Sequence, residues 1–72
     1  MDRIALGKES IGELIQSRRK SRKILQEDLA EIAGISSRTL RDIEKGIANP
    51  ELETLLKIFD VLGLGIKVEV IK

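Results

Sequence analysis

Between Glu9 and Arg19 the apolar positions are Ile11, Leu14 and Ile15, a spacing that puts them on one side of a helix. Ser10 is placed to cap that helix, and the basic residues that follow suit its carboxyl end, where cations meet the negative pole of the helix dipole. A second helix is predicted from about Gln26 to Ala33, with Leu29, Ile32 and Ala33 inward and Glu27 and Asp28 in its first turn. Gly34 follows, the residue that takes a left-handed helix end most cheaply. After Ile35, either Ser36 or Ser37 can cap a third helix running from about Ser37 to Lys45, with Leu40 and Ile43 inward and Gly46 as its stop. Asn49 and Pro50 then read as the cap and first residue of a fourth helix, Pro50 to Leu62. Its apolar residues Leu52, Leu55, Leu56, Phe59 and Leu62 point to core packing, and Gly63 ends it.

Beyond Gly63 the period changes. Leu64, Ile66, Val68 and Val70 alternate with Gly65, Lys67, Glu69 and Ile71, which predicts a strand. Nothing else reads as a good second strand, although Arg3 to Leu6 is a weak candidate. A lone strand leaves its backbone edge unpaired and invites a partner chain. The simplest completion is the same strand of a second copy, paired about a two-fold axis.

The chain has 72 residues, about half the usual size of one domain. A core this small commonly needs a staple. With no Cys there is no disulfide, and with no His the commonest metal ligand and general base are both missing. Association is the staple that remains, and no cofactor is expected. Phe59 is the one aromatic residue, so a stacking platform for single strands is not expected. The absence of a coherent acid–base pair argues against an enzyme. Ser17-x-x-Lys20 matches a penicillin-binding motif only as text, and Gly63-x-Gly65 lacks the third glycine of a nucleotide loop. No apolar run reaches the ~20 residues that span a bilayer, and no leader-like segment opens the chain, so a cytoplasmic protein is expected.

The net charge is only +1, but it is unevenly spread. Residues 1–25 carry seven Lys/Arg against three Asp/Glu, including Arg18, Arg19, Lys20, Arg22 and Lys23. A local basic field of this kind suits a phosphate backbone even when the total is near zero. The same run also reads as the solvated end of a helix; of its members, Lys23 and Arg22 are the candidates for a phosphate grip.

Two short helices joined at Gly34, the second opening on Ser-Ser-Arg-Thr, form a helix-turn-helix. Ser37, Arg38, Arg41 and Lys45 share the side of the third helix opposite Leu40 and Ile43. An Arg near the start of such a helix can reach base edges in the major groove.

The run from Gln26 to Gly46 resembles the DNA-binding domain of phage-repressor and Cro-type regulators, with flanking helices extending the likeness to about residues 10–62. The tail from Leu62 to Val70 resembles a narrower group, the antitoxins of HipBA-type toxin–antitoxin pairs, in which a terminal strand pairs across the dimer. The resemblance implies a mostly α fold of four to five short helices plus one strand shared between two chains. It divides the chain into an extension at 1–9, a helix-turn-helix domain at 10–63 and a dimerisation strand at 64–72. It implies that Gln26 contacts a phosphate and a neighbouring side chain or base, that Ser36, Ser37 and Arg38 read bases, that Arg41 reaches a base edge or phosphate, and that Lys45 holds the backbone. Arg19 and Glu44 would form an internal salt bridge. Leu64, Ile66, Val68 and Val70 would form the dimer strand.

Two departures stand out. Relatives have Gly and a polar cap where this chain has Lys23 and Leu25, and Asp42 lies near the reading face, where it would repel phosphate unless it met cytosine, Arg38 or Arg41. The function these readings imply is a homodimeric repressor on an inverted-repeat DNA site, acting as an autoregulating antitoxin with a HipA-like kinase toxin as partner. The alternatives are a stand-alone regulator or a module whose main task is toxin binding.

Overall fold

A computed structural model describes residues 7–67 and residue 70. Four helices follow one another: α1 (Lys8–Ser21), α2 (Gln26–Ala33), α3 (Ser37–Glu44) and α4 (Leu52–Leu62). The α1 and α2 helices each pack against both α3 and α4. The core is their meeting point: Ile15 from α1, Leu29, Ala30 and Ala33 from α2, Leu40 and Ile43 from α3, and Ile58, Phe59 and Leu62 from α4 are all buried. Ile11, Ile24, Ile35, Leu55, Val61 and Leu64 pack around it half-buried.

Local chemistry explains most of the boundaries. Gly34 takes φ 73°, and the Ile35 N–H closes back on the Ala30 carbonyl at 3.0 Å, so α2 ends in a left-handed turn that only glycine adopts without cost. Ser36 caps α3: its Oγ accepts the Thr39 N–H at 3.0 Å and lies 2.9 Å from Thr39 Oγ1. The α2 helix has Leu25 at its cap position, and no side chain satisfies its first N–H groups. Lys23, just before it, takes φ +58°, a left-handed conformation that glycine adopts at less cost.

Several expectations are corrected. Gly7 rather than Ser10 caps α1, which runs two residues past Arg19. Glu51 rather than Asn49 is the cap of α4, so Pro50 lies outside it. Ile32 is 59% exposed and Leu52 64%, and Leu14 and Leu56 are also exposed, so these are surface rather than core residues. Periodicity identifies an apolar stripe, but four short helices bury only its centre. Residues 64–67 have no regular secondary structure, and no strand occurs among the described residues. The physical reason is that a strand is defined by its ladder of hydrogen bonds, which a single tail in a single chain has nothing to form with. Val68 lies outside the described residues, as does most of the 1–9 extension; Val70 is described and exposed.

Candidate nucleic-acid interface

The α3 helix is divided lengthwise. Leu40, Ile43 and Glu44 are buried, while Ser36, Ser37, Arg38, Thr39, Arg41 and Lys45 are exposed. At 100° per residue, Ser37, Arg38, Arg41 and Lys45 fall within an arc of roughly 100°. Among the described residues, neither Arg38 nor Arg41 pairs with a carboxylate. Asp42 is half-buried and bonds neither of them; its backbone carbonyl accepts from the Ile47 and Ala48 N–H groups at 2.9 and 3.2 Å, closing the loop after α3. The guanidinium groups of Arg38 and Arg41 therefore extend into solvent on a rigid, capped helix.

Behind that face a polar network ties three helices together. Arg19 of α1 donates Nε–H to Glu44 Oε2 at 2.6 Å and a terminal N–H to Oε1 at 3.0 Å, a bidentate pair in which both residues are buried. A third guanidinium N–H reaches the Ile24 carbonyl at 2.8 Å. Gln26, the first residue of α2, donates Nε2–H to Glu44 Oε1 at 2.9 Å. The carboxylate thus receives three charge-assisted or amide bonds, and no buried polar side-chain atom among the described residues is left without a partner. Gln26 is half-buried, and its amide is held by Glu44 rather than free in solvent.

The basic run divides differently from the expectation. Arg22 is bonded to the Val61 carbonyl at 3.2 Å and Arg18 to the Leu62 carbonyl at 2.8 Å, so both cap α4. Of the two residues suggested as a phosphate grip, Lys23 alone extends freely: it is exposed and makes no ion pair among the described residues.

Sequence reasoning missed Gly12. A Cβ there would lie 2.6 Å from the Glu44 carbonyl oxygen and 2.9 Å from its carbon, with the Ile43 oxygen also in the way. The glycine lets α1 cross directly on the end of α3. The signal available was a glycine inside a helix, where it costs about 1 kcal/mol relative to alanine and so calls for a packing reason.

Comparison with known proteins agrees with this geometry. The helix-turn-helix family pattern matches residues 15–68. The immunity repressor protein of Bacillus phage phi105 is 40% identical over 57 residues, which cover 79% of this chain and 40% of the repressor. An uncharacterized HTH-type transcriptional regulator of Haemophilus influenzae is 45% identical over 53 residues, 74% of this chain and 53% of that protein. The chain thus spans about half or less of the length of these two curated relatives. Among solved structures, the clp gene regulator ClgR from Corynebacterium glutamicum superposes with TM-score 0.78 at 27% identity, over 83% of this chain and 64% of that one. HipB, in a HipB–O4 20mer complex and in a HipA–HipB–O2–O3 complex, superposes with TM-score 0.76 over 99% of this chain and 100% of its own, a likeness of fold at 22% identity. With the capped α3, the Gly34 turn and the family match in agreement, the chain belongs to the helix-turn-helix family of phage-repressor and Cro-type regulators.

Proposed function

We propose that the protein is a sequence-specific DNA-binding repressor that acts as a homodimer on an inverted repeat, and that it is the antitoxin member of a HipBA-type pair. The observation that carries the reading is the divided α3 helix: Ser37, Arg38, Arg41 and Lys45 exposed on one face, with the Arg19–Glu44–Gln26 network fixing the helix from behind. In this reading α3 enters the major groove. Arg38, Ser36 and Ser37 read base edges, Arg41 reaches a base or phosphate, and Lys45, Lys23 and Gln26 hold the backbone.

The dimer is supported by an apolar groove of about 380 Å³, lined by Ile11, Leu14, Leu52, Leu55, Phe59 and Ile66. It lies where α1, α4 and the tail meet. Apolar surface concentrated in this way marks an association site. The tail residues Leu64, Ile66, Val68 and Val70 would pair with those of the second copy and supply the missing ladder. The HipA–HipB complex motivates the antitoxin reading, in which a HipA-like kinase is the second partner. A stand-alone regulator is the second reading, favoured by the 40% identity to a phage immunity repressor.

Selection of duplexes from a random-sequence pool tests the first part. The expected product is an inverted repeat whose half-sites lie about 34–36 Å apart, bound by two chains, with affinity falling steeply as salt rises. Enrichment of a single half-site bound by one chain contradicts the dimer, and an intact dimer after deletion of residues 65–72 contradicts its pairing through the tails. Affinity purification from the native host separates the two regulators: a co-purifying kinase-like protein supports the antitoxin, and its absence supports the stand-alone repressor.

A further inference from the structure

The last four carbonyls of a helix have no partner within it. At the end of α4 all four are accounted for. The Leu64 N–H reaches the Phe59 carbonyl at 2.8 Å, and the Gly63 N–H reaches that of Asp60 at 3.3 Å. The other two are taken by α1 and the residue that caps its end: Arg22, the cap, donates to Val61 at 3.2 Å, and Arg18 donates Nε–H to Leu62 at 2.8 Å. Both guanidinium groups lie over Gly63, where an added Cβ would stand 3.1 Å from an Arg22 nitrogen and 3.5 Å from an Arg18 nitrogen. Two positive charges therefore sit at the negative pole of α4, on the residue where the chain turns out of the helix into the tail. The same turns of α1 carry Arg19, which grips Glu44 at the end of α3. One rigid helix thus holds the end of the α3 helix and the root of the tail at once.

We propose that Arg18 and Arg22 are positioning residues for DNA-site selection: by fixing the direction in which the tail leaves α4, they set the separation and angle of the two α3 helices in the dimer. This rests on the tail-paired dimer proposed above. One base pair of spacer shifts a half-site by roughly 3.4 Å and turns it by about a tenth of a helical turn, so a fixed tail root translates into a preferred spacer length. A simple helix cap would affect stability alone.

The test uses the full chain and a set of duplexes carrying the enriched half-site in inverted pairs, with the spacer varied by one base pair at a time. The parent binds one spacer at least about tenfold more tightly than its neighbours, each tenfold step corresponding to about 1.4 kcal/mol. In the Arg18→Met/Arg22→Met double variant, dimerisation measured by sedimentation persists, and the preference among spacers shrinks to within about threefold. Should that variant not fold, Arg18→Lys/Arg22→Lys keeps both cations but loses the planar fork, and is expected to broaden the spacer preference in the same direction. A folded, dimeric variant of either kind with the parental spacer preference overturns the proposal, leaving the arginines as caps only. A parent that binds all spacers equally, or binds as a monomer, overturns the dimer reading itself, and the inference with it.

Discussion

Replacing Glu44 with Gln is the most informative single perturbation of the network behind α3. The Glu44 side chain is 1% exposed and that of Arg19 9%, so the exchange leaves a guanidinium charge with little water and no counter-ion. Three bonds are affected: the 2.6 and 3.0 Å contacts from Arg19 and the 2.9 Å contact from Gln26. Breaking a buried pair from one side typically costs about 3–5 kcal/mol, because the remaining charge is stranded. A chain of this size has a total stability of roughly 4–11 kcal/mol, so the loss is a large share of it. The ion pair itself need not be strongly stabilising, since desolvation of both charges offsets most of its attraction. Arg19→Met with Glu44→Leu should therefore recover most of what either single change loses. Urea denaturation followed by circular dichroism, at one fixed protein concentration, measures all four members of the cycle. A Glu44→Gln variant within about 0.5 kcal/mol of the parent would show that the charge is not desolvated as described. A double variant as unstable as the sum of the singles would show that the two residues act independently.

Gly12→Ala tests the helix crossing. Propensity alone favours alanine by about 1 kcal/mol, but the new methyl meets backbone of Ile43 and Glu44, which cannot rotate away; we expect a net loss of about 1–2 kcal/mol by denaturation, and a gain would refute the close approach. Lys23→Gly relieves a left-handed backbone and should stabilise by roughly 0.5–1 kcal/mol, while lowering the salt dependence of DNA binding by about one ion per chain if Lys23 grips phosphate. Ser36→Ala removes the α3 cap and should cost about 1 kcal/mol, with Ser36→Gly nearer the parent; equal stability of Ser36→Ala and the parent would count against the cap.

The middle of the chain is the part most legible in its sequence. The bounds of α2 follow from Leu29 and Ala33 in phase and Gly34 at the turn, and those of α3 from Ser36 and from Leu40 and Ile43. In each case a local signal and the tertiary packing agree. The ends of α1 and α4 shift by one to three residues because Ser10 and Asn49 are credible caps that packing does not use. Ile32, Leu14, Leu52 and Leu56 were misplaced for a different reason. Their spacing is that of a core, but they lie at the margins of the apolar stripes, and four short helices bury only the centres. The role of Arg18 and Arg22 is hidden because their partners are backbone carbonyls about forty residues away, and a carbonyl leaves no trace in residue identity. The Arg19–Glu44 contact spans 25 residues, and no periodicity points to it; only the family resemblance placed the two together.

The central claim is that the exposed face of α3 reads DNA. Its most direct test is the affinity of Arg38→Ala for the enriched inverted repeat and for single-base variants of each half-site, measured against the parent at matched salt. We expect a loss of about 1–3 kcal/mol per half-site and a relaxed preference at one base position, with folding and dimerisation unchanged. A folded Arg38→Ala dimer that binds the parent's site with the parent's affinity and the same base preference would contradict the account.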